Sequence, residues 1–128
     1  MNEKKGKNNM EKEKISIIVP CYNEQEVLHI LFAELQKVTA QMSKYDFELL
    51  FVNDGSKDKT LDILKELAKE DDRVVYMSFS RNFGKEAAMY AGFTNATGDY
   101  VVVMDADMQD PPSLLPEMIT YIESGEYD

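Results

Sequence analysis

Short apolar runs alternate along this chain with longer stretches in which apolar residues recur every three or four positions. The short runs are rich in β-branched and aromatic residues, and they predict strands at 15–19, 47–52, 74–77 and 100–104. The longer stretches have the period of amphipathic helices, and they predict helices from residue 24 onward, at 61–68, at 83–95 and at 115–122. This alternation, with strands that are apolar on both faces, indicates an α/β fold with a mostly parallel sheet and helices on both faces.

The first helix has the clearest predicted start. Asn23 is a favourable N-cap, and Glu26 three residues later completes a pattern like a capping box. We therefore expect this helix to begin at Glu24. Its apolar positions form one face, which consists of Val27, Leu28, Leu31, Phe32, Leu35 and Val38.

The charge along the chain is uneven, and it separates a tail from the rest. The chain has 14 Lys and Arg against 24 Asp and Glu, which gives a formal net charge of −10. Residues 1–14 hold five Lys and three Glu without hydrophobic period, which predicts a disordered charged tail. Residues 15–128 then form one domain with a net charge of −12. A domain this acidic argues against nucleic-acid binding, which needs a basic surface.

The sequence has no feature that is typical of a secreted or membrane-spanning protein. Its single cysteine, Cys21, excludes an internal disulfide and a cysteine-only zinc site. No apolar run reaches the ~18 residues of a membrane span, and the first residues lack the apolar segment of a signal peptide. We therefore expect a soluble, cytoplasmic protein.

Polar residues follow each predicted strand, where ligands bind in Rossmann-like parallel sheets. Asp105, Asp107 and Gln109 follow the fourth strand. If the strand geometry continues, the two carboxylates project to the same side. Such oxygen ligands suit Mg²⁺ or Mn²⁺, which use one or two carboxylates together with substrate phosphate. The alternative is a solvated acidic loop that caps the last helix.

The other polar residues at the strand ends have ordinary structural explanations when each is taken alone. Asp54 fits a turn or a helix cap, and Glu24 fits a first-turn residue favoured by the helix dipole. Tyr22 fits a half-buried aromatic, while Lys85 and Arg81 fit surface cations. The sequence contains neither a dinucleotide-binding glycine motif nor a P-loop. The diphosphate of a bound nucleotide would therefore need another partner, such as a metal ion.

Four motifs lie at or after the predicted strands, in a fixed order. They are Ile17–Glu24 (IIVPCYNE), Val52–Ser56 (VNDGS), Arg81–Lys85 (RNFGK) and Asp105–Pro112 (DADMQDPP). Together they resemble the inverting family 2 glycosyltransferases, which have the A-type nucleotide-sugar transferase fold. The last two motifs are most similar to the branch of dolichyl-phosphate mannose synthases and bactoprenol glucosyltransferases. The resemblance covers residues 15–128 and implies the N-terminal, donor-binding half of the family's domain, truncated at its C-terminus.

The resemblance implies a role for residues of each motif. The implied nucleotide-sugar-binding residues are Pro20, Tyr22, Glu24, Asp54, Lys85, Asp105 and Ala106. Arg81 is a further candidate, beside Lys85, for a contact to phosphate or sugar. The implied ligands of Mg²⁺ or Mn²⁺ are Asp105, Asp107 and Gln109, and Asp107 would serve catalysis through that metal. Tyr22 would lie near the base, and Asp54 would accept a hydrogen bond from an N–H of uracil or guanine.

The reaction that the resemblance implies is transfer of a sugar, with inversion, from a UDP- or GDP-sugar to an acceptor. The acceptor would be a polyprenyl phosphate, or otherwise a glycan. A hydroxyl acceptor needs a carboxylate base, whereas a phosphate acceptor is already largely ionised at pH 7. The C-terminal part of a full-length protein would attach it to the cytoplasmic face of the membrane. The sheet edge left open in this chain favours homo-oligomers or aggregation.

Two other classes of protein are alternatives to a glycosyltransferase, and the sequence argues against the second of them. A non-catalytic nucleotide-binding module, or an inactive fragment without the acceptor half, would contain the same donor motifs. A receiver domain or a haloacid-dehalogenase-like phosphatase would have a critical Asp after the first strand. This chain has Pro20, Cys21 and Tyr22 there instead.

Overall fold

The computed structural model describes residues 12–124. Within this range, strands and helices alternate as the hydrophobic pattern predicts. The strands are β1 (Glu13–Cys21), β2 (Tyr45–Asn53), β3 (Val74–Ser78) and β4 (Tyr100–Val103). The helices are α1 (Leu28–Ala40), α2 (Thr60–Glu70), α3 (Lys85–Asn95) and α4 (Leu115–Glu123), with a 3₁₀ turn at Pro112–Leu114 before α4. In this part of the chain, no helix is long and apolar enough to pass through a lipid bilayer.

The four strands form one parallel sheet in the order β3-β2-β1-β4. β1 pairs along its whole length with β2, and residues 15–18 of β1 also pair with β4. The chain therefore winds outward from β1 to β3 and then returns to the opposite side of β1. The strand order reverses between β1 and β4, and α/β sheets bind ligands at the carboxyl ends of strands at such a switch point.

Helices cover both faces of the sheet, which confirms the predicted fold class. On one face, α1, α2 and α4 pack on alternate strand residues such as Ile17 and Phe51. On the other face, α3 packs through Ala88 on Ile18. A Cβ at Gly92 of α3 would lie 2.5 Å from Cγ2 of Ile18. Glycine at this position therefore allows the helix to approach β1 closely.

β1 begins two residues earlier than the sequence predicts. Glu13 and Lys14, which the sequence assigns to the tail, pair with the first residues of β2. The backbone N–H of Lys14 also donates to a carboxylate oxygen of Asp99 at 2.8 Å. Partners far along the chain thus extend the strand into the charged segment. The rest of the predicted tail, residues 1–11, lies outside the described residues.

The predicted capping box at the start of the first helix is wrong. α1 begins at Leu28, four residues later than expected, and has no side-chain cap. Asn23 has a left-handed φ of 54°. Its side-chain oxygen accepts a hydrogen bond from the backbone N–H of Lys57 at 2.9 Å. A contact with the loop after β2 therefore overrides the local signal, and residues 24–27 form a turn before the helix.

A buried carboxylate near the amino ends of the strands is not indicated by the sequence. Glu48 is 8% exposed. Its Oε1 atom accepts hydrogen bonds from the hydroxyl of Ser16 at 2.7 Å and from the backbone N–H of Thr97 at 3.1 Å. Burial acts to raise the pKa of Glu48, but these hydrogen bonds outweigh it and hold the pKa below its usual range. The ionised carboxylate thus ties β1 and β2 to the loop that precedes β4.

Replacing Glu48 by Gln is expected to lower the free energy of unfolding by about 1 kcal/mol at neutral pH, because neutral hydrogen bonds are weaker than charge-assisted ones. The pKa in the fold lies below the unfolded value of about 4.3. The charged group therefore stabilises the fold above that pH, and the effect is lost as the pH falls through the folded-state pKa. Denaturant unfolding of both proteins over the range from about pH 3 to pH 7 should show the difference shrinking toward acid. The control is Asp46→Asn, an exposed carboxylate on the same strand, and a Glu48→Gln effect independent of pH would contradict the prediction.

Candidate functional site

A cleft of about 370 Å³ opens at the carboxyl ends of the strands, where the strand order reverses. Except for Arg81, the residues that the sequence suggested for nucleotide-sugar or metal binding all line this cleft. They are Pro20, Tyr22, Glu24, Asp54, Lys85, Asp105, Ala106, Asp107 and Gln109. Each of the four motifs contributes to the lining, so the fold brings together residues that are far apart in the sequence.

The loop after β1 is fastened to the segment after β2 by backbone hydrogen bonds. The N–H of Asn23 donates to Oγ of Ser56 at 2.8 Å, and the N–H of Glu24 donates to Oγ1 of Thr60 at 2.8 Å. Tyr22, which directly precedes Asn23, lines the cleft and is 42% exposed. These hydrogen bonds to Ser56 and Thr60 therefore hold the backbone of Tyr22 and Glu24 in place at the cleft.

Asp54 is the acceptor for a second set of hydrogen bonds, although it is only 3% exposed. Its Oδ1 atom accepts from the backbone N–H of Phe83 at 2.7 Å. Its Oδ2 atom accepts from the backbone N–H of Gly84 at 3.0 Å and from Nδ2 of Asn82 at 2.9 Å. The simpler interpretation of Asp54 as a helix cap is wrong, since α2 has no side-chain cap. Asp54 instead holds the loop that precedes Lys85.

The two aspartates after β4 reach the cleft in a way that differs from the predicted one. β4 ends at Val103, so the strand geometry does not continue to Asp105 and Asp107. Asp105 is partly buried, and its Oδ1 atom lies 2.5 Å from Nζ of Lys85. Asp107 is exposed, and its Oδ1 atom accepts a hydrogen bond from the N–H of Gln109 at 3.2 Å. Both carboxylates line the same cleft, but a turn places them there.

The cleft contains more negative than positive charge. Among the described residues that line it, Glu24, Asp54, Asp105 and Asp107 are acidic, and Lys85 is the one cation. Burial raises the pKa of Glu24, and the charges of nearby carboxylates, Asp107 and Asp105 included, add to this rise. The hydrogen bond to Asp105 raises the pKa of Lys85, so Lys85 is protonated at neutral pH. A diphosphate that enters this cleft without a cation therefore meets net repulsion.

The oxygen atoms at the cleft fit a divalent cation that also binds the ligand. Within residues 12–124, no three His, Cys, Asp or Glu side chains are grouped so that they could hold a metal ion by themselves. Asp105, Asp107 and Gln109 offer two carboxylates and one amide oxygen within a single loop. Mg²⁺ and Mn²⁺ accept such an incomplete set, because they keep waters and take further oxygens from substrate phosphates. The residues present thus fit a metal that binds together with a diphosphate.

Three residues that line the cleft were not identified as site residues from the sequence: Cys21, Asn82 and Gly84. Burial raises the pKa of the Cys21 thiol well above its usual range, so this group stays protonated. Asn82 and Gly84 belong to the third motif, and they act through their hydrogen bonds to Asp54. Arg81 of the same motif does not line the cleft, and its guanidinium lies 4.5 Å from the centre of the Phe83 ring.

Sequence comparison identifies relatives along nearly the whole chain. The model of the family described as glycosyl transferase family 2 matches residues 16–128. The uncharacterized glycosyltransferase YkcC of Bacillus subtilis is 50% identical over 110 residues, which are 86% of this chain and 34% of that protein. The prophage bactoprenol glucosyl transferase homolog of Escherichia coli K12 is 43% identical over 112 residues, which are 88% of this chain and 36% of that protein. The chain thus spans about a third of the length of these relatives.

Solved structures share the fold. The mannosyltransferase PcManGT from Pyrobaculum calidifontis, in complex with GDP-Man and Mn²⁺, matches 88% of this chain and 33% of its own, with a TM-score of 0.74 and 22% identity. Residues 1–349 of TarS from S. aureus, in complex with UDP-GlcNAc, match 87% of this chain and 31% of their own, with a TM-score of 0.68 and 25% identity. Because the family model covers most of the sequence and the fold agrees with these transferases, this chain belongs to glycosyltransferase family 2.

Proposed function

We propose that this chain forms the donor-binding part of a glycosyltransferase that uses Mg²⁺ or Mn²⁺ and a nucleotide-diphosphate sugar. The observation that supports the proposal is the cleft itself, in which the loops after all four strands converge at the switch in strand order. Its charge is also suitable, because the excess of carboxylates repels a free diphosphate but accommodates one that is accompanied by a divalent cation. The relatives described above have names of glycosyltransferases, and the structural neighbour PcManGT is named as a mannosyltransferase.

The nucleoside is proposed to bind beside the loops after β1 and β2. Pro20, Tyr22 and Glu24 would line this part of the cleft, and Tyr22 would offer its aromatic ring to the base. Asp54 would accept a hydrogen bond from a ring N–H of uracil or guanine. Both lone pairs of its Oδ2 atom are used within the chain, but Oδ1 accepts one hydrogen bond, from Phe83, and has a second lone pair for the base.

The diphosphate and the sugar are proposed to bind beside the loop after β4. Asp105, Asp107 and Gln109 would hold the metal ion, and Lys85 would donate hydrogen bonds to phosphate oxygens. Ala106, which is 2% exposed, has a small side chain that leaves room for the ribose and the sugar. A bound divalent cation supplies Lewis-acid stabilisation of the negative charge that develops on the leaving diphosphate.

We further propose that the complete protein transfers the sugar to a polyprenyl phosphate with inversion. The E. coli relative and the 43% identical protein of Shigella phage SfX are both named for bactoprenol glucosyl transfer. A phosphate monoester has a second pKa of about 6 and is largely ionised at neutral pH, so it attacks without a protein base.

Calorimetric titration of UDP and of GDP into this chain, each with and without Mn²⁺, tests the proposed donor site. We expect one nucleotide to bind, and to bind only when Mn²⁺ is present. CDP serves as a control, because the cytosine ring lacks the N–H group that would donate a hydrogen bond to Asp54 in uracil or guanine. Circular dichroism of the same samples establishes that the chain is folded, and a folded chain that binds neither UDP nor GDP would contradict the proposal.

Replacing Asp107 by Asn is expected to weaken metal-dependent nucleotide binding by at least about tenfold, because a neutral amide oxygen is a poorer ligand than a carboxylate. The fold should be unaffected, because Asp107 is exposed and Asn still accepts the hydrogen bond from Gln109. Titration with Mn²⁺ and nucleotide measures the effect. The control is Asp110→Asn, which removes the same charge from an exposed residue outside the cleft. Equal losses in the two variants would mean that Asp107 acts only through the overall charge.

A further inference from the structure

We propose that Lys85 is an internal counter-ion, which pairs with Asp105 in the free protein and transfers to the diphosphate when the donor binds. The metal ion and the nucleotide would then strengthen each other's binding. This inference rests on the donor-binding function proposed above. It adds that the binding of the metal ion and the binding of the nucleotide are coupled through Lys85.

The pair has the geometry of a contact that can be exchanged. Nζ of Lys85 lies 2.5 Å from Oδ1 of Asp105, and the Lys85 side chain is 58% exposed. Lys85 begins α3, whereas Asp105 follows β4, so the ion pair joins two separate elements beside the cleft. The Asp105 side chain is 30% exposed, so solvent reaches both members of the pair and weakens their attraction. A lysine side chain has many rotamers, so a new partner can displace the old one at small cost.

Only the side chain of Lys85 has to move in this exchange. The backbone N–H of Gly84, the preceding residue, donates to the buried carboxylate of Asp54 at 3.0 Å. This hydrogen bond holds the start of α3 in place. The ammonium group can therefore leave Asp105 for a phosphate oxygen while the loop around it keeps its structure.

The ion pair opposes the binding of a metal ion on its own. Asp105 and Asp107 supply the two carboxylates of the proposed metal site, and Lys85 occupies one of them. Without nucleotide, a metal ion that binds Asp105 must displace the ammonium group of Lys85. The ammonium group then lies beside the metal ion without a partner, and the two positive charges repel each other. A diphosphate removes this conflict, because it offers Lys85 other oxygens and frees Asp105. By thermodynamic linkage, the factor by which nucleotide tightens metal binding equals the factor by which metal tightens nucleotide binding.

Replacing Lys85 by Met tests the proposal through metal binding alone. Titration with Mn²⁺, followed by electron paramagnetic resonance of the free ion, gives the Mn²⁺ affinity with and without the nucleotide that binds the wild-type chain. Without nucleotide, Lys85→Met should bind Mn²⁺ about threefold more tightly than the wild type, which is the strength expected of an exposed ion pair. The factor by which nucleotide increases the Mn²⁺ affinity should shrink in the variant. The control is Lys69→Met in the last turn of α2, which removes the same charge outside the cleft.

The outcomes separate this inference from the proposed function. Tighter Mn²⁺ binding by Lys85→Met but not by Lys69→Met, together with a smaller effect of nucleotide, supports the exchange. If Lys85→Met binds Mn²⁺ alone no more tightly than the wild type, the exchange is wrong, although metal-dependent nucleotide binding by the wild type still supports the donor site. If nucleotide does not raise the Mn²⁺ affinity of the wild type, both the exchange and the proposed function are wrong.

Discussion

Replacing Gly55 by Ala is expected to lower the free energy of unfolding by about 4 kcal/mol and to abolish nucleotide binding. Gly55 has a φ of +70°, a conformation that L-residues with a Cβ adopt at a cost of about 1–2 kcal/mol. The larger part of the effect comes from a collision. An added Cβ would lie 2.1 Å from the carbonyl carbon of Arg81 and 2.3 Å from the backbone nitrogen of Asn82.

These neighbouring atoms belong to the backbone, so no change of rotamer relieves the collision. The segment at Arg81 and Asn82 must move away from the loop after β2. The hydrogen bonds from Phe83 and Gly84 to Asp54 lie in the same contact between these two loops. Their loss would also displace the start of α3. A single methyl group should therefore open one side of the cleft.

Denaturant unfolding and nucleotide titration of Gly55→Ala measure the two effects, and Gly92→Ala is the matched control. A Cβ at Gly92 would lie 2.5 Å from Cγ2 of Ile18, a buried side chain on the sheet face under α3, so relief requires a small shift of the helix and leaves the contact between the two loops at the cleft in place. We expect Gly92→Ala to cost about 1–2 kcal/mol and to leave nucleotide binding intact. If Gly55→Ala were as stable as Gly92→Ala and bound nucleotide normally, the loop after β2 would not be packed against the segment at Arg81 and Asn82 as described.

The elements of the fold follow from local patterns, and their errors lie where distant partners intervene. The four apolar runs predicted the strands because a strand buried on both faces needs a continuous apolar sequence. The prediction missed the extension of β1 to Glu13, because β2 and Asp99 supply the partners for that extension. It also placed the start of α1 four residues too early, because Asn23 binds the loop at Lys57 instead of capping a helix.

Nine of the twelve residues that line the cleft could be predicted from the sequence, but their hydrogen-bond and ion-pair partners could not. The motifs specify residue types at strand ends, and a parallel sheet brings such ends together. No local pattern shows that the carboxylate of Asp54 accepts hydrogen bonds from a loop 28 to 30 residues later. Nor does it show that Lys85 pairs with Asp105, which lies 20 residues away. These contacts depend on how the loops pack, and they determine which oxygen atoms are left for a ligand.

Replacing Asp54 by Ala is expected to lower the free energy of unfolding by about 3 kcal/mol, because three donors lose a charged acceptor in a mostly buried position. Nucleotide binding should also suffer, for two separable reasons. The loop that precedes Lys85 becomes looser, which weakens contacts to the diphosphate. The remaining lone pair of Oδ1, which we propose accepts the ring N–H of the base, is lost as well.

Inorganic diphosphate separates these two reasons, because it has no base. With Mn²⁺ present, Asp54→Ala should weaken binding of the preferred nucleotide much more than it weakens binding of inorganic diphosphate. The control is Asn82→Ala, which removes the hydrogen bonds from Nδ2 to Oδ2 and to the backbone oxygen of Asp54 but leaves Oδ1 untouched. Asn82→Ala should lose about 1 kcal/mol of stability. It should weaken binding of the nucleotide and of inorganic diphosphate to a similar extent, and less than Asp54→Ala weakens nucleotide binding. If Asp54→Ala also weakens binding of the nucleotide and of inorganic diphosphate equally, Asp54 supports the loop without contacting the base. The specificity for the nucleotide must then come from the other residues that line the cleft.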